Sequence, residues 1–195
     1  MKYVKMLELL AVAAAALMAF AGTASATTVT SEGVTYTGEI AASAEGHVVL
    51  DNPIAKIECA STLAGTVESH GSGVTATGPI STLTFTSCTN NWHVTVIAKG
   101  SLEAHTLTGA DAGNATITSN GATVEAKRLT ITCRYKTEHT DVGRITASAN
   151  RGGATATFDI EAKIPFHSGS PLCGEGATTW TGSYVVNTPM ALDFD

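Results

Sequence analysis

Polar and apolar residues alternate one by one along most of the chain after residue 26. The clearest run is "TATFDIEAKIPF" at residues 155–166, in which the Phe and Ile residues share one side and Asp159, Glu161 and Lys163 share the other. Successive side chains of a β-strand point to opposite faces, so this pattern predicts a strand with one buried and one solvated face. Frequent Thr and Val, both β-branched, favour the same structure throughout.

Roughly ten short runs of this kind follow one another, separated by residues that form turns. Asn120-Gly121 is a hairpin signal, and "NRGG" at residues 150–153 separates two alternating runs. After residue 26 no segment has a helical period. We therefore predict an all-β domain, specifically a two-sheet antiparallel sandwich of Greek-key or jelly-roll type, with the choice between those two open.

The first 26 residues have the features of a cleavable signal peptide. Lys2 and Lys5 precede an apolar run, and the small residues Ala24 and Ala26 flank Ser25 at the expected cleavage site. Later segments fall short of the 18 to 20 consecutive apolar residues that a membrane helix needs. The sequence thus predicts export, a mature chain without a membrane span, and one domain over residues 27–195.

The charge of the chain narrows the choice of partners. Eleven Lys and Arg stand against 17 Asp and Glu, for a net charge of −6. Residues 1–26 contain two Lys and one Glu, so their removal changes the net charge to −7. Nucleic acids and anionic membranes attract proteins mainly through cationic side chains, so neither is expected as a partner. The negative charge is interpreted as favouring solubility.

Four cysteines remain after the signal peptide, and an even number in an exported chain predicts two disulfides. Three connectivities are open. Neighbours in sequence are favoured among short antiparallel strands, so the preferred pairs are Cys59–Cys88 and Cys133–Cys173. The spacings match neither a redox Cys-x-x-Cys motif nor a zinc site, and we expect no cofactor.

Asp159 and Glu161 are the one candidate catalytic pair. Residues two apart on a strand lie about 6.5 to 7 Å apart on one face, close to the carboxylate spacing of glycoside hydrolases. However, Lys163 continues the row with the opposite sign, and sugar sites are usually rich in Trp and Tyr, whereas this chain has two Trp and four Tyr. We interpret the row as a solvated face and predict no enzymatic activity.

Histidines do not form a metal motif. None is followed by another at the spacing of a zinc or copper site. The sequence therefore predicts no metal site. The six histidines are His47, His70, His93, His105, His139 and His167.

Three aromatic residues are weak candidates for a ligand platform. Trp92, Trp180 and Tyr184 each fall on the apolar side of an alternating run, so core packing is the preferred interpretation and ligand stacking the alternative. Asn114, in Asn-Ala-Thr, fits the glycosylation pattern, which is common by chance in a chain rich in Thr.

The segments "GPISTLTFTSCT", "LTITCRY" and "LCGEGATTWTGSYVVNTP" carry a family resemblance. Over most of residues 59–195 the chain resembles small exported bacterial proteins with disulfide-bonded β domains, known mainly as hypothetical proteins. The resemblance implies a signal peptide and a cross-linked β domain. It implies no activity and no functional residue.

Three functional hypotheses follow. The first is an exported, non-enzymatic protein of the cell surface or extracellular matrix, which acts by adhesion to a surface glycan or protein, or by self-association through edge strands such as "NATITS" at residues 114–119. The second is a binding module for a carbohydrate or a small apolar ligand. The third is a glycoside hydrolase that uses Asp159 and Glu161.

Overall fold

A computed structural model describes residues 27–68 and 75–195. The predicted signal peptide, residues 1–26, lies outside this part of the chain. The described residues form β-strands and four single-turn 3-10 helices, and their strands pair antiparallel throughout. The predicted all-β class and antiparallel pairing are confirmed.

The strands alternate with short turns along the whole described chain. They are β1 (Val29–Ser31), β2 (Val34–Thr35), β3 (Glu39–Ala44), β4 (Val48–Asn52), β5 (Ala55–Thr66), β6 (Ala76–Thr86), β7 (His93–Ala98), β8 (Ser101–Thr106), β9 (Ala115–Asn120), β10 (Thr123–Arg128), β11 (Ile131–Lys136), β12 (Thr140–Thr146), β13 (Thr157–Ile164), β14 (Phe166–Gly169), β15 (Thr178–Thr188) and β16 (Asp193–Phe194). The 3-10 helices are Thr89–Asn91, Gly109–Asp111, Ala149–Arg151 and Pro171–Cys173.

Eight strands form a closed barrel. β3, β5, β6, β8, β9, β12, β13 and β15 pair with one another in chain order, and β15 pairs back with β3, where Tyr184 lies opposite Ala44. β4 continues the line of β3 after residues 45–47 and also lies between β5 and β15. The barrel is therefore an up-and-down antiparallel ring.

This closure differs from the predicted two-sheet sandwich. Alternation shows which side of a strand is buried, and that side is the same in a sandwich and in a barrel. The difference depends on whether the first and last strands pair. That contact joins residues 44 and 184, which no local pattern relates.

A second sheet, in the order β14, β11, β10, β7, continues from the barrel strands. β7 leads directly into β8, and β9 leads directly into β10. Each of these two continuous segments therefore has one strand in the second sheet and one in the barrel. The crossing lies at Gly100 and Gly121, both with positive φ, where a Cβ on Gly100 would collide with the Asn120 carbonyl oxygen. The hairpin predicted at Asn120-Gly121 is wrong, because β9 and β10 pair with other strands.

The second sheet packs on the barrel wall through apolar side chains. Val124 and Tyr135 from the sheet meet Leu50 and Ile164 from the barrel around a cavity of ≈ 10 Å³. The Asn52 amide nitrogen and the Tyr135 hydroxyl, both buried there, have no partner among the described atoms. The volume is about what one water needs, so this space is too small for an organic ligand.

Four aromatic rings fill the part of the barrel beside the second sheet. Phe85 packs edge-on against Trp180 at 5.8 Å between ring centroids, Trp180 lies 6.4 Å from Tyr184, and Tyr184 lies 6.3 Å from Phe158. These separations are typical of favourable aromatic pairs. We call this group the aromatic column, and it makes that half of the barrel solid.

A small sheet of β1, β2 and β16 covers the other end of the barrel. Val29 of β1 lies opposite Phe194 of β16, and both side chains are buried. The cover is tied to β8 by a 2.9 Å hydrogen bond from the Thr106 N–H to the Thr27 hydroxyl oxygen. A second tie is the 3.0 Å bond from the Leu192 N–H to the Ser148 hydroxyl.

Two disulfides cross-link the end of the molecule beside the second sheet. Cys59 of β5 is bonded to Cys88, just after β6, and Cys133 of β11 is bonded to Cys173. These are the pairs that the sequence favours. Their sequence separations are 29 and 40 residues, so each closes a long loop of the unfolded chain.

Removal of one disulfide should lower stability strongly. Loop closure of this length predicts that the double change Cys133→Ala and Cys173→Ala lowers the free energy of unfolding by roughly 4 kcal/mol. Urea denaturation followed by circular dichroism would measure it. Peptide mapping of the unreduced protein is the control, and a Cys59–Cys133 fragment would contradict the pairing.

Candidate functional site

The half of the barrel away from the aromatic column is hollow. It contains a cavity of ≈ 80 Å³, which we call the lumen, bounded by all eight barrel strands and by the cover strands β1 and β16. Eight-stranded barrels are just wide enough either to be filled by side chains or to hold one small ligand. The larger apolar residues of the wall include Leu63, Ile80, Ile117, Ile145, Phe158 and Val186.

Small residues at inward positions explain the space. Ala42, Ala76 and Ala104 line the lumen where larger side chains would fill it. Gly65 and Gly78 lie at the same wall, where β5 and β6 approach so closely that a Cβ on Gly78 would collide with the Thr66 carbonyl oxygen. The lumen therefore depends on the absence of side-chain atoms at a few positions.

The wall of the lumen is almost wholly hydrocarbon. Its hydroxyl groups belong to Thr66 and Thr77, both at exposed positions of the β5–β6 hairpin. The buried side-chain polar atoms that lack a partner belong to Asn52, Tyr135, Arg144 and Trp180, none of which lines the lumen. Within the described residues, the lumen thus offers apolar contact and no buried hydrogen-bonding group.

The aromatic candidates are buried in the core. Trp92, Trp180 and Tyr184 are 4%, 7% and 0% exposed, so none presents a ring face to a sugar in solution. Tyr184 donates a 2.7 Å hydrogen bond to the Ser61 hydroxyl. The Trp180 indole N–H lies near the Tyr184 hydroxyl but lacks the geometry of a regular hydrogen bond. Trp180 and Tyr184 belong to the aromatic column, and Phe158 is the ring of that column that lines the lumen.

Asp159 and Glu161 lie on the outer face of β13, where both side chains are exposed. They border an open surface groove together with Asp141 and Arg144, and the Ser183 hydroxyl donates a 2.6 Å hydrogen bond to Asp159. Among the described residues, no aromatic ring lines this groove. Its geometry supplies acids on a solvated surface but no stacking platform for a sugar.

Asn114 is unsuited to glycosylation in the folded chain. Its side chain is 5% exposed. The side-chain oxygen accepts hydrogen bonds from the Ala147 N–H and from the Asn150 amide, both at 2.9 Å. The amide therefore joins β9 to the β12–β13 connection, which is a structural role.

The described residues contain neither a metal-binding cluster nor a membrane-spanning helix. Over residues 27–68 and 75–195, no three His, Cys, Asp or Glu side chains come together as metal ligands would. Among the helices of those ranges, none has the length and apolar character to cross a membrane.

Comparison with known proteins gave no relative. No protein-family model, no curated protein and no solved structure matches this chain. The geometry of the barrel is therefore the basis for inferring function.

The lumen was missed at the level of sequence. Alternation predicts that Ala42, Ala76 and Ala104 point inward but not that they line one cavity, in which Ala76 and Ala104 are paired neighbours on β6 and β8. The sequence does contain one signal of the lumen: the inward residues Ala42, Ala76 and Ala104 are small, whereas Trp180 and Tyr184 on β15 are large. That signal becomes readable only once the strands are arranged in a barrel.

Burial raises the pKa of the Tyr184 phenol well above its ordinary value. The folded protein therefore retains this proton at pH values where the unfolded chain, with a tyrosine pKa of about 10, releases it. Stability from this group is complete below about pH 10 and is lost as the pH rises further. Urea midpoints measured from pH 8 to 11 should fall above pH 10.

In the variant Tyr184→Phe, the urea midpoint should fall less steeply above pH 10. The lost hydrogen bond should lower the free energy of unfolding by about 1 kcal/mol at lower pH. Tyr36→Phe is the matched control, because Tyr36 is only half-buried. An unchanged slope in Tyr184→Phe would show that another group governs the alkaline transition.

Proposed function

We propose that this chain is an exported, non-enzymatic binding module that holds a small apolar ligand in the barrel lumen. The observation that supports it is the lumen itself, a hydrocarbon-walled cavity of ≈ 80 Å³ in the hollow half of a closed barrel. The mouths and interiors of β-barrels are common ligand sites. Export is proposed from the signal-like first 26 residues and agrees with the two disulfides.

The energetic cost of an empty lumen favours a ligand. Enclosed cavities in protein cores lower stability by about 24 cal/mol per Å³, so an empty space of ≈ 80 Å³ costs at most about 2 kcal/mol, and less on the side where exposed Thr66 and Thr77 line it. Replacing Ala104 or Ala76 by a larger apolar residue would remove much of this cost. A binding function explains why the sequence keeps small residues there, whereas core packing alone does not.

The same geometry ranks the other hypotheses. A carbohydrate module is disfavoured, because Trp92 and Trp180 are buried and the lumen lacks polar groups to bind hydroxyls. A glycoside hydrolase is disfavoured, because Asp159 and Glu161 lie on an open outer face. Small apolar ligands are the class that the lumen suits.

Ligand binding should raise thermal stability in a way that depends on the lumen. Benzene at about 100 times its dissociation constant should stabilise the fold by about 2.7 kcal/mol, measured as a higher melting temperature in sealed cells. Ala104→Leu, which fills the lumen, should abolish that shift. Ala110→Leu, at an exposed position, is the matched control and should preserve it. An identical shift in both variants would contradict binding in the lumen.

Adhesion or assembly remains a second proposal, but through a different strand. The segment "NATITS" is not an edge, because β9 within it pairs with β8 and β12. β7, by contrast, pairs only with β10 among the described strands and carries Ile97, which is 55% exposed at a bulge. A strand edge with little charge can pair with another chain, here a second copy.

Assembly through β7 predicts that the protein associates at high concentration and that Ile97→Lys weakens this association. A charge on an edge strand blocks pairing because the partner strand cannot bury it. Sedimentation velocity over a concentration series would measure it. Val34→Lys, which changes an apolar residue that is 69% exposed on β2, is the control. Monomeric behaviour throughout, or equal weakening by both variants, would contradict assembly through β7.

A further inference from the structure

We infer that the lumen is selective for an uncharged hydrocarbon group, a short alkyl chain or at most a single ring, and that Phe158 sets its size limit. This inference rests on the proposed ligand-binding function. It goes further in naming the chemical class of the ligand and the residue that limits its length.

Selection against polar ligands follows from the wall. Inside the lumen, a ligand hydroxyl would give up its hydrogen bonds to water, while Leu63, Ile117 and Ile145 offer only carbon in return. An unpaired hydroxyl buried among apolar groups is expected to weaken binding about tenfold or more. The threonine hydroxyls of Thr66 and Thr77 lie at exposed positions and are not part of this apolar interior.

The limit on ligand size follows from the residues that bound the lumen, Phe158 on one side and the cover on the other. On one side stands the Phe158 ring, which packs on Tyr184 at 6.3 Å and so belongs to the aromatic column. On the other side Val29 and Phe194, 1% and 2% exposed, close the cover. The apolar cavity known to accept benzene has a volume of about 150 Å³. The lumen, at ≈ 80 Å³, has about half that volume, so a short alkyl chain suits it best and a single ring is its upper limit.

Phe158 is the boundary residue whose side chain can be shortened by mutation without loss of a hydrogen bond. Its side chain is hydrocarbon and 3% exposed, and it lines the lumen, whereas Phe85 at the far end of the column does not. Phe158→Leu therefore enlarges the lumen, and Phe85→Leu removes a similar ring from the same column without changing the lumen. The two variants form a matched pair.

The first experiment compares benzene, phenol and n-butylbenzene as ligands of the purified, disulfide-bonded protein. Binding is followed through the methyl ¹³C–¹H signals of Ile and Leu residues. We expect benzene to bind, and phenol and n-butylbenzene to bind at least about tenfold more weakly. Phenol binding as tightly as benzene would overturn the hydrocarbon class while leaving the proposed function intact. Equal binding of n-butylbenzene would overturn the size limit alone.

A result in which none of the three probes shifts these signals would overturn the proposed function as well as this inference. The two failures are therefore distinguishable, because the first concerns the ratios of affinities and the second concerns binding itself.

The second experiment repeats the comparison on the variants. Phe158→Leu should raise the affinity for n-butylbenzene relative to benzene about tenfold, and Phe85→Leu should leave that ratio unchanged. Circular dichroism establishes that each variant folds. Ala42→Val narrows the lumen from another wall and should lower the same ratio, which keeps the size argument testable when Phe158→Leu does not fold. Equal ratios in all variants would overturn the role of Phe158.

Discussion

The pairing of β15 with β3 is the contact on which the rest of the structure depends. β15 also pairs with β13 over eight residue pairs, and with β4. It therefore joins the last strands of the barrel in chain order to the first. Its inward residues place Trp180 and Tyr184 in the aromatic column and Val186 in the lumen wall. Gly182 lies between them, where a Cβ would come within 2.7 Å of the Val48 side chain. One strand thus closes the ring, fills one half of it and lines the other.

The filled half and the hollow half of the barrel contribute differently to its stability. Burial of large rings supplies most of the apolar area per residue, so the column stabilises the ring strongly. The alanines and glycines of the lumen contribute little area and leave a void. A protein whose inward side chains are mainly short can keep such a void only because stabilisation is concentrated elsewhere, in the column and in the disulfides.

Much of the local structure could be predicted from sequence, and the closure could not. Phe158 and Ile164 are buried, and Asp159, Glu161 and Lys163 are exposed, as their alternation in β13 predicts. Alternation describes one strand at a time, so it carries no information on which strands meet around a ring. The Asn-Gly signal failed for a related reason, because a glycine needed at a bend between two sheets looks the same in sequence as a glycine needed in a hairpin.

Covalent and non-covalent restraint are placed at opposite ends of the molecule. The bonds from Cys59 to Cys88 and from Cys133 to Cys173 restrain the half beside the second sheet, whereas the cover over the lumen is tied by hydrogen bonds such as the one from Leu192 to Ser148. Local opening costs least where few groups are cross-linked. Under the proposed binding function, durability and guest exchange would therefore be separable properties: the cover would open while the cross-linked half remains intact, and its opening rate would set how long a guest stays.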